Sequence, residues 1–103
     1  MLDFAFATYE EICKELGTRL KTQRLAQSIT QADLAARACV SEKTVKNIEN
    51  KGQASLESAV RVIIALGLAD QLQSLLTLQV KSIAQMEMAE QAKRMRAPRR
   101  PRK

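Results

Sequence analysis

Hydrophobic positions in this chain recur at helical spacing, and capping residues punctuate them. Thr8, followed three residues later by Glu11, has the form of a capping box, and Glu10 and Glu11 suit the positive end of a helix. Ile12, Leu16, Leu20 and Leu25 then repeat on one face, which predicts a first helix ending near Gln27. Thr30 with Asp33 predicts the start of a second helix, whose inner face is Leu34, Ala35 and Ala38. A break follows at Cys39, with Val40 turned inward and Ser41 capping a third helix that points Val45 and Ile48 inward. Gly52 suits the left-handed end of that helix. Ser55 opens a fourth helix with an apolar face of Leu56, Ala59, Val60, Ile63 and Ile64, and Gly67 stops it. A fifth helix starts near Ala69 and carries Leu72, Leu75 and Leu76. Ahead of all these, Phe4 and Phe6 form a short arm, either packed on the body or held against a partner.

Beyond Leu76 the pattern weakens. Thr77 to Val80 alternates polar and apolar, which fits extended chain. Ser82 is placed to cap a last helix through Ile83, Met86 and Met88 to about Arg94, so 77–92 reads as either helix or strand. The ending APRRPRK combines two prolines with a basic run and is expected to be disordered when free. The resulting division is a domain over 8–76, a dimer or partner segment over 77–92, and a basic tail over 93–103.

Composition narrows the class. Aromatic residues make up only 3% against 46% hydrophobic, so the core must be aliphatic, as suits a single all-α domain. There is no histidine, and Cys13 and Cys39 lack metal-ligand spacing. A zinc site or a Cys–His nucleophile is therefore excluded, and the cysteines read as two buried reduced thiols. With no phosphate loop and no convergent carboxylate pair either, the chain is expected to be no enzyme and to need no metal or cofactor. The N-terminus lacks a basic signal-type region, and Ala59 to Leu76 is interrupted by Arg61, Asp70, Gln71 and Gln73. Neither a secretory signal nor a membrane span is expected, and the expected location is cytoplasmic.

The net charge of +6 changes meaning once it is placed. Residues 1–90 hold 10 Lys+Arg against 11 Asp+Glu, whereas residues 91–103 hold seven basic residues and no acid. The basic character belongs to the tail. If the body binds a polyanion, it does so by local placement of charge.

The run from Thr30 to Asn50 is suited to that. A helix entering the major groove of DNA needs an apolar back, a tight entry turn with an apolar anchor, and exposed polar residues near its N-terminus. Val45 and Ile48 supply the back, Val40 the anchor, and Ser41, Glu42, Lys43, Thr44, Lys46 and Asn47 the exposed row. Glu42 can accept from a cytosine amino group, Lys43 can donate to guanine, and Asn47 can pair with adenine.

These residues resemble the lambda-repressor-like helix-turn-helix family, also called the Cro/repressor or XRE type. The matching positions are Leu16-Gly17, Leu20-Lys21 and Arg24, then Thr30-Gln31-Ala32-Asp33-Leu34-Ala35. Val40-Ser41, Thr44-Val45, Ile48-Glu49-Asn50 and Leu66-Gly67 complete them, so the resemblance covers about 8–76. It implies a five-helix lambda-repressor-like DNA-binding domain with a C-terminal extension, a homodimer on a palindromic or pseudo-palindromic double-stranded DNA operator, and usually repression. It implies further that Glu42, Lys43 and Asn47 read bases, with Ser41, Thr44 and Lys46 as base or phosphate contacts. Gln31, Asn50 and Lys51 fall where the family touches phosphate. Arg24 and Glu49 match a pair that in relatives often ties the first helix to the third; otherwise they are two solvated charges. One departure stands out: the family usually has glycine where this chain has Cys39, in a turn that favours left-handed backbone.

Leu72, Leu75, Leu76, Leu78 and Val80 exceed what one small bundle readily covers, and relatives dimerise in this region, so these residues are the expected dimer contact. Met86, Met88 and Met95 suit an adaptable protein contact. A small repressor with such a segment and a basic ending resembles, in architecture, the HipB-like antitoxins that partner HipA-like kinase toxins. The expected function is a dimeric, sequence-specific repressor, as the autoregulating antitoxin of a toxin-antitoxin operon. The alternatives are an interaction module that mainly neutralises a toxin and a stand-alone or phage-type repressor.

Overall fold

The computed structural model describes residues 2–79 and 83–96. The described residues form five α-helices: α1 (Tyr9–Ala26), α2 (Gln31–Ala38), α3 (Glu42–Lys51), α4 (Leu56–Ala65) and α5 (Ile83–Arg96). Short 3-10 helices occupy Phe4–Phe6 and Ala69–Leu72, and the described residues contain no strand. The fold is all-α.

Side-chain chemistry sets where the first four helices begin. Thr8 and Glu11 form the reciprocal capping box: the Thr8 hydroxyl accepts from the Glu11 N–H at 3.1 Å, and the Glu11 carboxylate accepts from the Thr8 N–H at 2.9 Å. Thr30, Ser41 and Ser55 each accept the N–H three residues on, at 3.0 Å. The ends are equally specified. α1, α2 and α4 close with paired bonds that run back into the last turn, and Ser28, Cys39 and Gly67 hold the left-handed position. At Cys39 (φ 59°) the two bonds are Cys39 N–H to Ala36 and Val40 N–H to Ala35. The turn expected from glycine-bearing relatives therefore forms around a cysteine. Both Cys13 and Cys39 are exposed, which corrects the expectation of two buried thiols: at Cys39 the left-handed turn carries the side chain outward, and Cys13 lies on α1 at an open groove beside the end of α3.

The chain divides into two compact units, Met1–Gln73 and Ser74–Lys103. In the first, Leu34, Ala35 and Ala38 of α2, Val45 and Ile48 of α3, and Val62 and Leu66 at the end of α4 form the core. Leu20, Ile29, Val40, Ala65 and Leu68 pack against it. Leu34, Val45 and Val62 are essentially sealed from solvent, each contributing about 1.5–3 kcal/mol by burial.

The meeting of α1 and α3 is set by glycine. A Cβ on Gly17 would collide with the Ile48 carbonyl, and one on Gly52 would collide with the Cys13 backbone. Backbone thus meets backbone at two points one helical turn apart. This revises the inner face of α1. Its buried residues are Gly17 and Arg24, with Leu20 between them, whereas Leu16 and Leu25 are exposed. The expected leucine stripe lies to one side because α1 docks through a small residue and a charged one. On α4 the buried residues are Val62 and, at its cap, Leu66; Leu56 and Ile64 are exposed. This helix has apolar residues on more than one face, so periodicity alone does not choose which is buried. Phe6 is exposed as well, and Phe4 is only partly covered, its ring lying 5.0 Å from the Arg19 guanidinium.

The expected fifth helix near Ala69 is only the 3-10 helix Ala69–Leu72, followed by turns to a left-handed Leu76 (φ 62°). In the second unit, Leu75, Leu76 and Leu78 are exposed, Thr77–Gln79 is irregular, and α5 carries exposed Met86 and Met88. Val80, Ser82 and residues 97–103, on which part of the dimer, capping and tail expectations fall, lie outside the described residues. Among the described residues, no helix is long and apolar enough to cross a membrane.

Two substitutions test this account. Gly17→Ala forces α1 away from α3 and is expected to cost about 2 kcal/mol or more in urea unfolding, as overpacking does. Cys39→Gly relieves left-handed strain at some cost in unfolded-chain entropy and should stabilise by about 0.5–1 kcal/mol. A neutral Gly17→Ala or a destabilising Cys39→Gly contradicts the assigned geometry.

Candidate nucleic-acid interface

α3 divides cleanly into a back and a front. Val45, Ile48 and Glu49 are buried. Ser41 at its cap, then Glu42, Lys43, Lys46 and Asn50, are exposed, and Thr44 and Asn47 are half-buried. Several front residues hold one another. The Ser41 and Thr44 hydroxyls share a 2.8 Å hydrogen bond while Ser41 also caps the helix, so Ser41 is partly committed to the helix start. Glu42 and Lys46 form an i, i+4 ion pair at 3.6 Å. Exposed pairs of this kind are worth about 0.3–0.5 kcal/mol, so either side chain is released at little cost. Lys43 makes no ion pair among the described residues.

Behind α3 lies a buried ion pair. Arg24 of α1 donates to Glu49 of α3 through two nitrogens, Nε to Oε2 at 2.7 Å and Nη2 to Oε1 at 3.1 Å. Its Nη1 donates to the Ile29 carbonyl at 2.8 Å, and Gln31 of α2 donates Nε2 to Glu49 Oε1 at 3.0 Å. One carboxylate therefore joins α1, the α1–α2 turn, α2 and α3. Burial works to raise the Glu49 carboxyl, but the hydrogen bonds from Arg24 and Gln31, with the nearby charges of Arg24 and Lys21, outweigh it. The group lies below the usual glutamate range.

The remaining candidate positions spread around this centre. Gln31 is half-buried at the start of α2, where a helix leaves backbone N–H groups without intrahelical partners. Its side-chain nitrogen is turned inward to Glu49, an engagement that sequence alone did not reveal, because an amide at a helix start is as readily solvated. Asn50 and Lys51 are exposed at the end of α3, beside Gly52 and Gln53, and across from Tyr9, Glu10, Cys13 and Lys14 of α1. Lys14 was not singled out by motif, although it shares the α1 face of Gly17, Lys21 and Arg24 at three- and four-residue spacing. Of the candidate dimer residues, Leu72 is half-buried in the first unit, and Leu75, Leu76 and Leu78 are exposed in the second.

Residues 20–72 match the family model described as helix-turn-helix. The match runs from Leu20 of α1 through α2, the Cys39 turn, α3 and α4 to Leu72. No curated protein shows significant similarity to the chain.

The ion pair yields a pH prediction. The folded-state pKa of Glu49 is depressed, so its stabilising contribution is fully present above the unfolded value, about 4.3, and is lost as pH falls through the folded value. Glu49→Gln should remove that part of the acid dependence. It should also destabilise at neutral pH by on the order of 3 kcal/mol, because Arg24 stays buried without its counter-charge. Urea midpoints measured from pH 7 to pH 3 check both; an unchanged acid slope in Glu49→Gln contradicts the assignment.

Proposed function

The chain belongs to the helix-turn-helix family of the Cro/lambda-repressor kind, a DNA-binding family, and from that premise we propose that it is a sequence-specific, dimeric transcriptional repressor. The observation that carries this is α3: a polar front, Ser41 to Asn50, on a helix whose back is sealed and pinned by a buried ion pair. In this reading Glu42, Lys43 and Asn47 address base edges in the major groove. Ser41, Thr44 and Lys46 add base or phosphate contacts. Gln31, Asn50 and Lys51 bond the backbone and fix the register.

The exposed Leu75, Leu76 and Leu78 support dimerisation, since they suit a second copy of the chain better than water, and Leu72 and Val80 are assigned to it from the sequence pattern. Two half-sites read by a twofold dimer call for a palindromic or pseudo-palindromic operator. Repression of the chain's own promoter is the regulatory form proposed, as in an antitoxin operon. A second reading is that α5 holds an operon-encoded partner such as a HipA-like toxin. The exposed Met86 and Met88 favour it, since methionine surfaces adapt to a partner.

Asn47→Ala is expected to relax preference at one base position per half-site, costing on the order of 1–3 kcal/mol against the preferred base. A uniform loss over all operator variants would instead make Asn47 a backbone contact. Gel shift on the chain's own promoter tests the regulatory role directly, and no shift at low salt contradicts it.

A further inference from the structure

The first half of α1 precedes the family match, which begins at Leu20, yet it stands beside the end of α3. Between them runs an open groove of about 380 Å³. Tyr9, Glu10 and Lys14 line one wall, and Asn50, Lys51 and Gln53 the other. The walls are held in place by the backbone contact of Gly52 with Cys13, one turn from the contact of Gly17 with Ile48.

Ion pairing decides which cations near this groove are available. Residues 2–73 carry nine Lys+Arg and nine Asp+Glu, so the unit has no net charge to attract a polyanion. Four of those cations are taken: Arg19 by Glu15, Arg24 by Glu49, Lys46 by Glu42 and Arg61 by Glu57. Of the five that make no ion pair among the described residues, Lys14 and Lys21 lie on α1, Lys43 and Lys51 on α3, and only Arg37 lies elsewhere. The acids near the start of α1 are mostly committed. Glu11 caps the helix and Glu15 holds Arg19, which leaves Glu10 as the one acid lining the groove, on the same wall as Lys14 and opposite Lys51.

We propose that Lys14 is a DNA-backbone contact and that it forms, with Asn50 and Lys51, a phosphate clamp at the C-terminal end of the reading helix. The inference rests on α3 being a DNA reader. The groove is lined by two cations, two amides and one carboxylate, a net positive charge, and its openness suits a phosphate on a continuous strand, because the strand must pass through; an enclosed pocket would suit a small free anion. The clamp lengthens the contacted surface beyond the family-matched region, and it supplies charge next to α3 in a unit that has none to spare.

The test is the salt dependence of binding to mixed-sequence duplex DNA and to a duplex selected by the full-length protein. Lys14→Gln should flatten the log–log salt slope by about 0.9 per bound chain and weaken both duplexes by the same factor, leaving base preference unchanged. Lys14→Arg should keep the slope, and Arg61→Gln, on α4, should not alter it. In a double-mutant cycle, Lys14→Gln and Lys51→Gln should be non-additive, as expected for two cations on one phosphate. An unchanged slope in Lys14→Gln, in a protein with wild-type helicity that still binds, overturns the clamp. So does a loss confined to the selected duplex. Failure of the wild-type protein to bind either duplex at low salt strikes the DNA-binding reading itself and is thereby distinguished from failure of the clamp.

Discussion

The structure turns on one buried carboxylate. Glu49 sits on the inner side of α3 and takes hydrogen bonds from Arg24 on α1 and Gln31 on α2, while Arg24 also holds the turn between α1 and α2. An ion pair removed from water contributes little net stability, since desolvation consumes most of its Coulomb gain. What it provides here is geometry. A bidentate pair tolerates little rotation or sliding, so three helices are held in one relation. Leu34, Val45 and Val62 contribute the burial that makes the unit fold; the carboxylate determines how α3 is presented.

Close backbone contact reinforces the same arrangement. Gly17 lets α1 lie on the Ile48 carbonyl, and Gly52 lets the end of α3 lie on the Cys13 backbone, so at these two points α1 and α3 meet backbone to backbone. α3 is thereby supported over its C-terminal half by backbone with little freedom to yield. In a unit whose positive and negative charges balance, a few fixed side chains can then serve recognition in place of a strong general field. Glu42 and Lys46 show the economy of it. They neutralise each other in the free protein at an energy small enough for a base edge or a phosphate to outbid.

Much of this was legible in the sequence. Thr8, Thr30, Ser41 and Ser55 announced four helix starts because a hydroxyl before an apolar-periodic run does one local job. The turn at Cys39 was legible through the residues around it, and the cysteine merely occupies the left-handed position that glycine would take more easily. Less legible was anything decided by which neighbour arrives. The leucine repeat of α1 pointed to Leu16 and Leu25, but docking through Gly17 and Arg24 left both in water, and no periodicity scale counts glycine and arginine as core. α4 offered apolar residues on several sides, and only tertiary contact chose Val62 and Leu66. The segment after Gly67 read as helix because its leucines are well spaced, yet the chain makes one 3-10 turn there. At the candidate interface, the front of α3 followed directly from spacing. The inward turn of Gln31 and the nearness of Lys14 to Asn50 and Lys51 could not, because both depend on the distance between helices.

The most direct measurement is a titration of the isotope-labelled full-length protein with its promoter duplex, following every backbone amide by NMR. A DNA reader of the proposed kind predicts that the large shift changes gather on Gln31, Ser41 to Asn47, Asn50 and Lys51, and reach Lys14 on α1. Leu56 and Arg61 on α4 should stay still. Changes confined to Leu75–Leu78 or to Met86 and Met88, with the amides of α3 unmoved, would contradict it.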